Sequence, residues 1–119
     1  MNQPTSATVS WTDTTTALVT VRETALDSST KDGLDAVLRE AWEAGAVRIV
    51  VNLSAVTFCD SSGLAVLVRA HRRALDRQGW VRQAGTTGHP ERLISLTNLG
   101  RLVRAFPSAE AAMSADAGV

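Results

Sequence analysis

Residues 48–75 read RIVVNLSAVTFCDSSGLAVLVRAHRRAL. The first part, with Val47 ahead of it, is apolar through Leu53 without alternation. A strand covered on both faces has that pattern. The last part carries Leu64, Leu67, Val68, His71 and Leu75 at helical spacing, so a helix starts near Ser61. Arg69, Arg72, Arg73, Asp76 and Arg77 lie mostly off that stripe, and Gly79 is its expected end. Between the two patterns stands Cys59-Asp60-Ser61-Ser62-Gly63-Leu64, a loop that delivers two hydroxyls and a glycine to a helix start. Free backbone N–H groups and a partial positive charge collect there.

The flanking sequence extends the alternation of strand and helix. Upstream, Ala7–Trp11 alternates, residues 12–14 suit a turn, and Thr16–Arg22 reads as a second strand of a hairpin. Glu23–Ser29 reads as a loop. Ser29 with Asp32 resembles a capping box for a helix carrying Leu34, Val37, Leu38, Ala41 and Trp42 and closed by Gly45. Downstream, Trp80–Ala84 is a strand and Gly85–Gly88 a loop. Pro90 suits the first turn of a helix over 90–97, with Asn98 and Gly100 as candidate terminators. Arg101–Phe106 is the last strand, and Ser108 caps a short final helix with Glu110 in its first turn. The order β-β-α-β-α-β-α-β-α predicts a single α/β domain with a mixed, mostly parallel sheet and helices packed on it. Its expected limits are a flexible arm over 1–6, the domain over 7–115 and a tail over 116–119.

Composition narrows the function classes. With 119 residues and 45% hydrophobic content the chain can bury a core. Twelve basic and twelve acidic residues cancel, so nothing argues for direct nucleic-acid or membrane-surface binding. The lone Cys59 excludes an internal disulfide and reads as a small packed residue. Met1–Pro4 has no leader features and no apolar run is long enough to span a bilayer, so a cytoplasmic location is expected. One cysteine and the separated His71 and His89 do not make a metal-ligand cluster, and no cofactor is implied. Gly85-Thr86-Thr87-Gly88 lacks the lysine and spacing of a phosphate-binding loop. Trp42 reads as core, while Trp11 and Trp80 could be core or exposed.

Three chemistries remain open for Ser61. Either it or Asp60 can cap the helix, or Ser61 can accept a phosphate or act as a nucleophile. A nucleophile needs a base within reach. His71 points along the core-facing stripe as a satisfied boundary histidine, and glycines do not flank Ser61 two residues either side. No catalytic residue and no enzyme activity are expected. A phosphate on Ser61 would add a charge of roughly −1.5 to −2 at a helix start, with the amides of Ser62, Gly63 and Leu64 as candidate donors.

The run IVVNLSAVTFCDSSGLAVLVRAHRRAL, residues 49–75, closely resembles the STAS domain family, above all the bacterial anti-sigma factor antagonists. Those share a strand, an F-x-Asp-Ser-Ser-Gly-Leu loop and a helix. Leu26 and Asp27 resemble the family's Gly-Glu-Leu-Asp segment, with Thr24 and Ala25 in place of its glycine and glutamate. GHPERLISLTNLGRLVRAFPSAEAAM resembles its last helix–strand–helix. The resemblance implies partner switching. An unphosphorylated antagonist binds an anti-sigma factor that is also an ATP-binding serine kinase. Phosphorylation releases it, and a phosphatase resets the cycle. It implies Ser61 as the phosphoacceptor, with Asp27, Asp60, Ser62, Gly63 and Leu64 on the partner-binding surface. The alternative is a STAS docking module of another signalling or lipid-transport complex, without phosphorylation.

Overall fold

The computed structural model describes residues 7–115; the expected arm over 1–6 and tail over 116–119 lie outside the described residues. The order of elements is β1 (Ala7–Trp11), β2 (Thr16–Val21), β3 (Ala25–Leu26), α1 (Lys31–Glu43), β4 (Arg48–Asn52), β5 (Phe58–Cys59), α2 (Ser61–Asp76), β6 (Trp80–Ala84), α3 (Gly88–Thr97), a 3-10 turn (Leu99–Arg101), β7 (Arg104–Phe106) and α4 (Ala109–Ser114). The main sheet has the order β1-β2-β4-β6-β7, with β1 antiparallel to β2 and the remaining neighbours parallel. This is the mixed, mostly parallel sheet that the alternating pattern predicts. β3 and β5, two residues each, form a separate parallel pair. They were expected as loop because two residues carry no periodicity.

Side-chain alternation divides the sheet between two apolar layers. Ile49, Val51 and Val81 face the main core with Leu34, Leu38 and Trp42 of α1 and Leu64, Leu67 and Ala70 of α2. Val50, Trp80 and Ala84 face the other way and pack under Ala112 of α4. β6 is buried along its whole length although it contains Arg82 and Gln83. Burial of such groups is tolerable only with partners. Arg82 Nη1 donates to the Ala112 carbonyl at 2.7 Å, and its guanidinium lies over the Trp80 ring at 3.8 Å. Gln83 Nε2 donates to the Val103 carbonyl and its Oε1 accepts from Thr86 Oγ1.

Several local expectations are revised. α1 begins at Lys31 with Thr30 at the cap position and no side-chain cap bond, because the Ser29 hydroxyl donates to Asp27 instead. Leu75 is 51% exposed, and Ala70 and Ala74 take its place on the buried stripe. Gln78, not Gly79, adopts the left-handed conformation after α2. Gly79 is fixed by contact, since a Cβ there would lie 1.6 Å from the Val47 carbonyl oxygen. The last strand shortens to Arg104–Phe106 because left-handed Asn98 leads into the 3-10 turn. His71 is buried and its Nδ1 has no hydrogen-bond partner, so it is not the satisfied boundary residue expected. Burial, then Arg72, holds its pKa down. Gly45 after α1, Trp42 in the core and Ser108 as the cap of α4 stand as expected. Trp80 is buried, whereas Trp11 is 42% exposed.

Candidate functional site

The short β3–β5 ladder assembles the site. Ala25 pairs with Phe58 and Leu26 with Cys59, and the Asp60 amide donates to the Leu26 carbonyl at 3.2 Å. Asp27 thereby comes beside Asp60, from a segment 33 positions earlier in the chain. The two carboxylates interact, Asp60 tending to raise the Asp27 pKa. Hydrogen bonds win at both. The Ser29 hydroxyl and amide hold Asp27 below the ordinary carboxylate range. The Ser62 hydroxyl, then the Gly63 amide, do the same for Asp60. Both carboxylates are therefore anionic near neutral pH.

Asp60 is the N-cap of α2. Its Oδ1 accepts from Ser62 Oγ at 2.6 Å and from the Gly63 amide at 3.1 Å, and its backbone carbonyl accepts from the Leu64 amide at 3.1 Å. The Gly63 and Leu64 amides, proposed above as phosphate donors, are therefore already engaged by Asp60. Gly63 has a packing reason of its own. A Cβ would sit 2.3 Å from the Leu26 carbonyl oxygen, so only glycine lets α2 start against β3. Leu64 is buried as well.

Once these bonds are assigned, the two serines differ. Ser62 is half-buried and its hydroxyl is spent on Asp60. Ser61 is exposed and its hydroxyl makes no hydrogen bond among the described residues. No histidine hydrogen-bonds to it among the described residues. His71 is buried along α2, and His89 is stacked on Phe58 with ring centroids 4.9 Å apart and planes 11° from parallel. Ser61 thus lacks the hydrogen-bonded base of a nucleophilic serine. Among the described residues no three His, Cys, Asp or Glu side chains are placed to hold a metal ion. Cys59 is buried, and burial followed by Asp60 pushes its thiol pKa up, as suits a packed and unreactive thiol. No helix among the described residues is long and apolar enough to cross a membrane.

The sequence reading did not select the Phe58–His89 pair or the Asn98–Leu102 corner. Phe58, two residues before the cap, is 46% exposed, and an aromatic at that position was the available signal. The corner, with α2, walls a groove of about 560 Å³ that begins at Ser61 and runs past Leu64, Ala65 and Val68 to Arg72. Its second wall joins residues about 35 positions downstream, so no local pattern announces it.

A family model described as "Mlab, STAS domain" matches residues 9–104. Among solved structures, an anti-sigma factor antagonist from Mycobacterium paratuberculosis superimposes with a TM-score of 0.81 at 23% identity, covering 96% of this chain and 97% of that one. The anti-sigma factor antagonist SpoIIAA in its unphosphorylated form gives 0.75 at 17% identity, covering 89% and 92%. The Bacillus cell fate determinant SpoIIAA in its phosphorylated form gives 0.69 at 17% identity, covering 90% and 96%. At these identities the structures establish a shared fold.

Proposed function

This chain belongs to the STAS domain family, and we propose that it acts there as an anti-sigma factor antagonist by partner switching. The domain spans residues 7–115 and works as a cytoplasmic binding protein, not an enzyme. Unphosphorylated, it binds an anti-sigma factor that is also an ATP-binding serine kinase. The kinase phosphorylates Ser61 and releases it, and a phosphatase acting on phospho-Ser61 restores binding. Asp27, Asp60, Ser62, Gly63 and Leu64 build the surface around the phosphoacceptor.

The observation that carries this reading is the division of labour between adjacent hydroxyls. The Ser62 hydroxyl completes the helix cap, while the Ser61 hydroxyl is exposed and has no hydrogen bond among the described residues. A phosphate on Ser61 would leave the cap bonds intact, so the domain can carry it without refolding. A partner docked over Ser61 would face new negative charge at a desolvated interface beside two fixed carboxylates. Like-charge placement of that kind costs on the order of several kcal/mol, or roughly 100-fold or more in affinity. SpoIIAA, which shares the fold, is known in both unphosphorylated and phosphorylated forms. Binding of Ser61→Ala and Ser61→Asp to the cognate anti-sigma factor tests the reading. Ser61→Ala should bind as the unmodified protein does and Ser61→Asp at least about tenfold more weakly. Equal affinities would contradict it.

The matching family model's description, "Mlab, STAS domain", names no sigma-factor role and so leaves room for a second reading: a docking module of another signalling or lipid-transport complex in which Ser61 is never modified. A stable complex with an unmodified partner subunit and no phosphate on Ser61 under any condition would select it.

A further inference from the structure

Charge cancels over the whole chain, but not along α2. Between Ser61 and Leu75 the helix carries Arg69, Arg72 and Arg73 and no acidic residue. Ser61, Ala65, Val68 and Arg72 follow at i, i+4, i+7 and i+11, so they share one helical stripe, distinct from the buried one. That stripe is a wall of the groove that begins at Ser61. The opposite wall, Thr97, Asn98, Leu99 and Leu102, adds no acid, and Leu102 is 44% exposed. Arg69 is tied at 3.8 Å to Asp35 of α1, whereas Arg72 is exposed and its guanidinium has no ion pair or hydrogen bond among the described residues. The groove therefore has an apolar floor beside Ser61 and a guanidinium at its far end. Eleven residues of helical rise separate the two, about 16 Å. That length takes two to three turns of a bound helix, which presents apolar residues at i, i+3, i+4 and i+7 to such a groove.

We infer that this groove docks an amphipathic helix of a protein partner, with leucine-type side chains on the floor and a carboxylate paired with Arg72. The inference rests on the docking role proposed above and assigns the chemistry of the partner segment. An acidic segment is also the kind that a phosphate on Ser61, at the mouth of the groove, would repel.

The test uses the whole chain, labelled with 15N, and a synthetic fourteen-residue helical peptide with leucines at i, i+3, i+4 and i+7 flanked by glutamates. A second peptide replaces every glutamate by lysine. The acidic peptide should shift amides of residues 64–68 and 97–102. It should bind roughly tenfold more tightly than the lysine peptide, and Arg72→Glu should abolish that preference. Equal binding of both peptides, an unchanged affinity in Arg72→Glu that keeps its native spectrum, shifts mapping elsewhere, or no binding up to about 1 mM would each overturn the assignment. Concentration-dependent shifts of the same residues without peptide would overturn it too, because the occupant would then be a second copy. Ser61→Asp separates this inference from its premise. If the acidic peptide binds that variant unchanged, the groove assignment stands and the charge switch at Ser61 falls.

Discussion

Two strand-to-helix junctions leave the same edge of the sheet, because β4 and β6 run parallel. The first, residues 53–60, leads into α2; the second, residues 85–87, leads into α3. The first is braced by the β3–β5 ladder and closed by an aspartate cap with two donors. The second has Thr87 at the cap position with no side-chain cap bond, and left-handed glycines at 85 and 88 make its turns. Both expose a helix start, yet only the first fixes every group around one exposed hydroxyl. The switch proposed for Ser61 would benefit from surroundings that do not move with it.

The largest expected effect probes what holds the first junction. Gly63→Ala forces a methyl against the Leu26 carbonyl and should cost about 3 kcal/mol in urea unfolding. Gly88→Ala at the second junction meets no atom within 4 Å and should cost only the left-handed strain, about 1 kcal/mol. Equal costs would erase the distinction between a packed and a merely twisted junction. Next, Asp60→Ala should lose about 1–2 kcal/mol, whereas Thr87→Ala should stay within about 0.5 kcal/mol. Thr87→Asp should add stability at the second junction by building the missing cap, and a null result would show that α3 does not want one.

Acid should find the first junction before the second. The folded-state pKa values of Asp60 and Asp27 lie below their unfolded values, so their stabilisation is present above about pH 4 and is lost as pH falls through the folded pKa. Asp60→Asn should flatten that limb. His71 acts in a higher window. Its folded pKa is depressed by burial, so stability should already decline as pH drops below about 6.5, its unfolded value. Urea midpoints measured from about pH 7 to 3 separate the two limbs. The smallest effects concern the serines. Ser62→Ala should cost up to about 1 kcal/mol through its bond to Asp60, and Ser61→Ala should leave stability unchanged.

The main elements were legible because apolar periodicity spans whole turns and whole strands. Ser108 as the cap of α4 followed from residue type and position, whereas the choice of Asp60 over Ser61 as the cap of α2 was left open and the structure makes it. Which of Ser61 and Ser62 remains free was not legible, since one hydrogen bond to Asp60 decides it. Nor could the approach of Asp27 to Asp60 be derived from the residues alone, because a two-residue ladder leaves no pattern in sequence. Leu75 misled because its spacing fits the stripe, while alanines at 70 and 74 occupy the buried positions of that turn. The arginines off the apolar stripe of α2 were legible, but the groove that Arg72 ends was not, because its second wall comes from a distant segment.

Phosphosite mapping by mass spectrometry, on this protein recovered from its native cells in growth and under stress, tests the central claim most directly. The account predicts a phosphate on Ser61, absent from Ser62, with an occupancy that changes between conditions. An unmodified Ser61 under every condition with full coverage of the peptide, or a phosphate carried by Ser62 instead, would contradict it.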